Sequence, residues 1–371
     1  MKILPTPEIY TGKSSLSQIN SILDKISANK ILVVTDKGIV KAGIYAKLEA
    51  VLKNRQIVLF DGVESDPSIK LVEQVVKIAR SNDIEAVIGI GGGSSIDTAK
   101  VAAALVTNNK DMWQYIGIEL LEKDALPIIA IPTTAGTGSE VTHIAILSDE
   151  EEQLKKGIVS TRIIPKFAIL DPELTVGLPP HVTAATGMDA LVHALESYIS
   201  INANIYSDTL AMKAISLISE NIREAYNNGK NLEARENMLM GSLLAGMAFA
   251  NAGVAAVHAF AYPLGGMFHI PHGLANSVML PTIMEFNIVG NEARFNDIAK
   301  YLTIKDIYTL CEDLKIPLSL AELNIPESAI PQLAESVMKV TRLLANNPRK
   351  ITQEDALNLY TAAYKGGKVC H

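Results

Sequence analysis

Apolar residues in the first half of the chain gather in short β-branched runs, separated by stretches with helical spacing. The runs at 31–36, 57–60, 86–90 and 127–131 are continuous rather than alternating, which predicts buried strands. Between them, 42–54, 68–82 and 94–108 predict helices; in the second, Leu71, Val75, Ile78 and Ala79 share one face. Strand and helix in alternation imply βαβ units and a mostly parallel sheet. Residues 141–147 and 156–171 predict further strand segments, a small hairpin and a return strand.

The pattern changes at Leu178-Pro179-Pro180. Beyond it, 184–200, 207–226 and 232–250 predict long helices, and 292–371 predicts shorter ones divided by Pro317, Pro326, Pro331 and Pro348. The expected organisation is an α/β half over 1–180 and an all-helical half over 181–371, without an internal repeat. Composition agrees: 371 residues suit two domains at roughly 100–200 residues each, and 48% apolar with 20% charged residues is ordinary for packed cores. A net charge of −7 without a basic block argues against a nucleic-acid surface, which needs clustered Lys and Arg. No apolar run approaches the ~18 residues of a membrane span. The opening residues, Met1 to Pro7, lack the long apolar stretch of a signal peptide. With only Cys311 and Cys370, far apart, a disulfide framework or thiolate metal site is not expected, and a reducing cytoplasm is.

Two small-residue segments follow predicted strands. Gly89-Ile90-Gly91-Gly92-Gly93-Ser94-Ser95 opens a helix, where glycines admit close backbone approach and free N–H groups favour phosphate. A tight strand-to-helix turn would use the same residues; the strand-then-helix context favours the ligand reading. The loop 132–140, with its threonines and glycines, also leaves a strand end, where open α/β sheets bind ligands. Asp36 ends the first predicted strand. It suits either a ribose hydroxyl, repelling a 2′-phosphate, or a helix cap.

In the second half, Asp189 and His193 lie four apart on a predicted helix and share a face. Carboxylate and imidazole suit a borderline divalent cation, although a simple ion pair has the same spacing. His258, in an apolar stretch, reads alone as a core histidine, and His272 sits in a turn-like segment. Together the four form a stronger candidate than any one of them.

These residues resemble the iron-containing (group III) alcohol dehydrogenases, of the dehydroquinate synthase-like fold. GGGSSIDTAK at 91–100, PTTAGTGSE at 132–140, GMDALVHALES at 187–197 and HAFAYPLGGMFHIPHG at 258–273 carry the resemblance, which covers essentially the whole chain. It implies a doubly wound nucleotide-binding domain, an all-α metal-binding domain and an active site in the cleft. It implies metal ligation by Asp189, His193, His258 and His272, with Fe²⁺ selected by the resemblance and Zn²⁺ as the chemical alternative. Cofactor contacts are implied for Gly91, Gly92, Gly93, Ser94, Asp97, Thr133, Thr134 and Lys155, and Asp36 matches a preference for NAD over NADP. The implied substrate is a small alcohol or aldehyde, and the implied assembly a homodimer or larger homo-oligomer.

One position departs from the common family pattern, which places a second histidine four residues after the third ligand. Here that residue is Tyr262. With an ordinary pKa near ~10, a phenol is a poor base at neutral pH. Tyr262 and His269 are therefore the candidate proton-handling residues. The rivals to an alcohol dehydrogenase are a zinc polyol dehydrogenase, a lyase or cyclase of the same fold, and a non-catalytic nucleotide- or metal-sensing module.

Overall fold

The computed structural model describes residues 2–52, 54–149 and 154–366. The chain divides into two compact units, Leu4–Gly177 and a second that runs from Leu178 onward.

The first unit is built on nine strands: β1 (Glu8–Thr11), β2 (Lys30–Val34), β3 (Gln56–Phe60), β4 (Ala86–Gly91), β5 (Gly117–Ile118), β6 (Ile128–Pro132), β7 (Ile144–Asp149), β8 (Leu154–Val159) and β9 (Phe167–Leu170). Six form a parallel sheet in the order β1-β9-β6-β4-β2-β3. Its helices are α1 (Ile19–Lys25), α2 (Lys37–Lys41), α3 (Ile44–Val51), α4 (Ile69–Ser81) and α5 (Gly93–Thr107). Side chains alternate between two apolar layers. Leu32 and Val34 point to the core under α4 and α5, whereas Ile31 and Val33 point to the core under α1 and α3. Burial on both faces explains the unbroken apolar runs.

Several expectations shift. The sheet has an edge strand, β1, that the sequence pattern hides: only Ile9 and Tyr10 of its four residues are half-buried. The helix expected over 42–54 is instead α2 and α3, because Gly43 (φ +75°) turns the chain between them. The buried face of α4 is Ile69, Val72, Val75, Val76 and Ala79; Leu71 and Ile78 flank it. The hairpin is β7 paired antiparallel with β8, in a three-stranded sheet with β5, and the return strand is β9, between β1 and β6.

The second unit is helical: α6 (Pro180–Ile199), α7 (Ile205–Asn227), α8 (Leu232–Ala252), α9 (Ala256–Phe268), α10 (His272–Ile288), α11 (Glu292–Ile298), α12 (Ile304–Asp313), α13 (Ile330–Val337), α14 (Thr341–Leu344) and α15 (Gln353–Lys365). In α6 every side chain from Gly187 to Ile199 is buried. Glycines admit its neighbours: a Cβ on Gly187 would meet Ile222 and Met238 at 2.8 Å. Between α8 and α9 the chain bends by 103°, at Gly253 (φ +78°). Among the described residues, no single helix is long and apolar enough to cross a membrane. Cys311 is buried, and burial pushes its thiol up to about 12; Cys370 lies outside the described residues.

Candidate metal centre and nucleotide cradle

In the first unit the chain runs from β2 outward to β3, then returns to β4 on the other side of β2. The winding direction therefore reverses between β2 and β4, the point where doubly wound sheets bind nucleotides. β2 leads to Thr35 and Asp36, and β4 ends at Gly91 and Gly92. The Asp36 carboxylate accepts from the Ile39 N–H at 3.0 Å, so the capping role is realised through Oδ1. Its Oδ2 lies 3.4 Å from where a Gly91 Cβ would sit.

Close packing dictates the glycines. Gly91 has φ +147°, and a Cβ there would lie 2.6 Å from Ser95 Oγ; one on Gly93 would lie 2.7 Å from Thr137 Cγ2. The turn and the loop 132–140 are thus pressed together, and Thr133 N–H donates to the Gly91 carbonyl at 2.9 Å. Gly92 caps α5 without a side chain, which leaves the helix's first N–H groups to an anion. Ser94 and Thr134 are half-buried beside this turn, and the buried Thr133 Oγ1 has no partner.

Asp97 and Lys155 are placed differently from the rest of the expected cofactor set. Asp97 accepts from Ser139 Oγ and from the Ile146 N–H (3.0 Å), and lies 3.6 Å from Lys100 Nζ. Lys100 is fully buried and donates to Ser139 Oγ (2.9 Å), Thr142 Oγ1 (3.1 Å) and the Ile144 carbonyl (2.9 Å). This pair holds α5 to the chain that follows the loop. Beside it, burial pushes the Glu140 carboxyl up to about 7, against the pull of its own N–H and of Lys100. Lys155 donates to Ser148 Oγ (3.0 Å) and pairs with Asp66 at 2.5 Å.

In the second unit, α6, α9 and α10 bring the predicted ligands together. Candidate ligand atoms of Asp189, His258 and His272 all lie within 4.8 Å of one another. Asp189 Oδ1 is 3.9 Å from His258 Nε2 and 3.7 Å from His272 Nε2. His193 completes the set, its Nε2 3.0 Å from His258 Nε2 and its ring stacked on Phe249. Asp189, His193 and His258 are buried, and His272 is partly open. Ligand bonds of about 2.0–2.2 Å around one ion place donor atoms roughly 3–3.5 Å apart, close to this spacing. The donor set, one carboxylate and three imidazoles, fits a divalent cation of borderline softness. Burial raises the Asp189 carboxyl, but the charges of His193, His272 and His258 and the Asn276 amide outweigh it, so the net shift is downward.

Packing fixes where the ligand helices approach. A Cβ on Gly273 would lie 2.3 Å from the Ala185 carbonyl oxygen, so α10 begins in contact with the α6 backbone. Tyr262 is half-buried, its ring 6.1 Å from that of His272, and burial raises its phenol. His269 is exposed and caps α9 in the left-handed region (φ +55°). His272 opens α10 rather than sitting in a turn; irregular chain at 269–271 precedes it.

Two residues of this site were not singled out from sequence. Glu196, fully buried, lies 2.7 Å from His258 Nδ1. Asn276 donates to Asp189 Oδ1 at 2.7 Å and lies 3.2 Å from His272 Nε2. Spacing carries both signals: Glu196 follows Asp189 by seven residues and Asn276 follows His272 by four, which returns each to its ligand's helical face.

A doubly wound unit with a phosphate-type turn, followed on the same chain by a helical unit with a carboxylate–imidazole cluster, fits a nucleotide-binding, metal-dependent enzyme. A match to the family described as iron-containing alcohol dehydrogenase covers residues 5–172, and one to that family's C-terminal part covers 183–364. Long-chain-alcohol dehydrogenase 1 of Geobacillus thermodenitrificans is 40% identical, over 98% of this chain and 97% of its own. The crystal structure of a 1,3-propanediol oxidoreductase is similar with a TM-score of 0.94 at 39% identity, over 98% of this chain and 100% of its own. A sulfoacetaldehyde reductase from Bifidobacterium kashiwanohense, solved in complex with NAD⁺, is similar with a TM-score of 0.89 at 31% identity, over 98% of this chain and 99% of its own. The chain belongs to the iron-containing alcohol dehydrogenase family, and its activity is that of an alcohol or aldehyde oxidoreductase.

Proposed function

We propose that this protein transfers hydride between NAD(H) and a small alcohol or aldehyde, with one divalent metal held by Asp189, His193, His258 and His272. The observation that carries the reading is the convergence of those four side chains from three helices into one cluster, three of them buried and His272 partly open. Iron is the metal the family implies, and zinc is the alternative the same donors would accept.

When bound, the metal supplies Lewis acidity toward a substrate oxygen and the nicotinamide supplies the hydride-accepting carbon. The chain's own residues orient and exclude. Gly91, Gly92, Gly93 and Ser94 give the dinucleotide's phosphates close access to the start of α5, and Thr133 and Thr134 flank them. Asp36, beside Gly91, disfavours a 2′-phosphate and so NADP. Asp97 and Lys155 contribute indirectly, through the internal contacts they make. Tyr262 keeps its proton at the phenol oxygen and acts as a hydrogen-bond donor to the substrate oxygen, not as a base. His269 exchanges protons with solvent; its exposure at the end of α9 supports this. A homo-oligomer in a reducing cytoplasm completes the reading; the resemblance and the sparse cysteines support it.

The test is formation of NADH by metal-loaded protein across short alcohols and diols, with NADP⁺ in parallel. The reading expects turnover with NAD⁺ above NADP⁺. No turnover with either cofactor, in either direction, would sink it.

A further inference from the structure

Glu196 is 0% exposed, in the last turn and a half of α6. A buried carboxylate is costly unless its lone pairs are filled, and here donors from one short segment fill them. Oε2 accepts from the Ala255 N–H at 2.9 Å and lies 2.7 Å from His258 Nδ1; Oε1 accepts from the Val257 N–H at 2.5 Å. The His258 N–H, at 3.5 Å from Oε2, completes the group.

This segment begins α9, directly after the 103° bend. Its N-cap residue, Ala255, has no side chain with which to cap. Glu196 does that work from α6, and the negative charge suits the positive end of α9. The same carboxylate grips the ring of His258. At 100° per residue, Asp189, His193 and Glu196 fall within roughly 60° of one α6 face, so two ligands and this carboxylate form a single row.

We infer that Glu196 is the positioning residue of the metal centre. It holds His258 with its proton on Nδ1 and the bare Nε2 lone pair aimed at the cluster, and it locks that ring to the start of α9. The inference rests on the reading of Asp189, His193, His258 and His272 as ligands. Backbone N–H groups can only donate and they face both Glu196 oxygens, so both oxygens accept and Nδ1–H is the tautomer that satisfies the set. Glutamine is nearly isosteric but offers one acceptor oxygen and an NH₂. Turned one way, the NH₂ opposes backbone N–H groups. Turned the other, it donates to Nδ1 and drives the ring proton to Nε2, where it competes with the metal. Aspartate is one carbon too short to span the same groups.

The experiment compares wild type with Glu196→Gln in a Co²⁺ titration against a competing chelator, and follows the cobalt absorption bands. The expected result is a loss of about 10–100-fold in Co²⁺ affinity, with altered bands. In parallel, ¹⁵N NMR of the histidine rings in Zn²⁺-loaded wild type is expected to show His258 protonated at Nδ1 and metal-bound through Nε2, which decides the matter even if Glu196→Gln fails to fold. Binding by Glu196→Gln within threefold of wild type and with unchanged bands overturns the inference, as does a proton on Nε2. Wild type that binds no Co²⁺ removes the ligand reading itself and the inference with it; wild type that binds while the variant binds equally well removes the inference alone.

Discussion

Tyr262 stands beside the converging histidines, its ring 6.1 Å from that of His272. Burial raises its phenol, so at neutral pH it offers a proton without accepting one. Tyr262→Phe removes one donor and little volume. If that donor meets the substrate oxygen, kcat/KM falls roughly 5–10-fold, about 1 kcal/mol, with metal content unchanged; steady-state kinetics alongside metal analysis checks both. Glu140 shows a different residue-scale effect. Its carboxyl, ordinarily near 4.5, is pushed up to about 7. Below 4.5 the folded and unfolded chains both hold the proton, and burial of the neutral acid is fully favourable. Between 4.5 and about 7 the unfolded chain releases it first, so stability falls as pH rises and levels off above about 7. Glu140→Gln removes that slope. Its stability relative to wild type, by denaturant unfolding, is expected to improve by about 3 kcal/mol between pH 4.5 and pH 8. Residues of this kind divide sharply in legibility. Asp189 and His193 announce themselves by spacing, whereas a lone histidine such as His258 does not. Glu196 resembles any helix-surface glutamate until its seven-residue distance from Asp189 is considered.

Elements place the ligands, and glycines decide how closely elements meet. The start of α10 lies against the Ala185 carbonyl, and backbone cannot yield there as a flexible side chain would. Gly273→Ala therefore forces α10 away from α6 and separates His272 from Asp189. The expected cost is about 1–3 kcal/mol of stability with a marked loss of bound metal; a variant that unfolds and binds metal like wild type would contradict this contact. In the first unit, α4 was legible because its cap and its apolar spacing coincide: Ser68 accepts from the Leu71 N–H, and the α4 face repeats every three to four residues. β1 was not, since a four-residue edge strand with two half-buried side chains carries no pattern above background. The break between α2 and α3 depends on a single left-handed glycine, which local spacing does not distinguish from one tolerated inside a helix.

At the scale of the whole molecule, two units differ in how they use their apolar residues. The first buries continuous strand runs between helical layers and leaves small-residue loops at the strand ends; the second buries most of one helix, α6, among amphipathic neighbours. Alternation against long helices made that organisation readable along the chain, because each period reports its own element type. The ligand set was readable only as an assembly, since the four residues come from three helices far apart in sequence. In the proposed function this assembly binds one metal, and hydride transfer requires it. The most direct measurement is metal content per chain, taken together with NAD(H)-linked turnover, for wild type, chelator-stripped wild type and His258→Ala. One divalent metal and turnover are expected in wild type, with loss of both on stripping, recovery of both on adding Fe²⁺ or Zn²⁺, and neither in His258→Ala. Full turnover by the stripped protein, or wild-type metal content in His258→Ala, would contradict the proposed function.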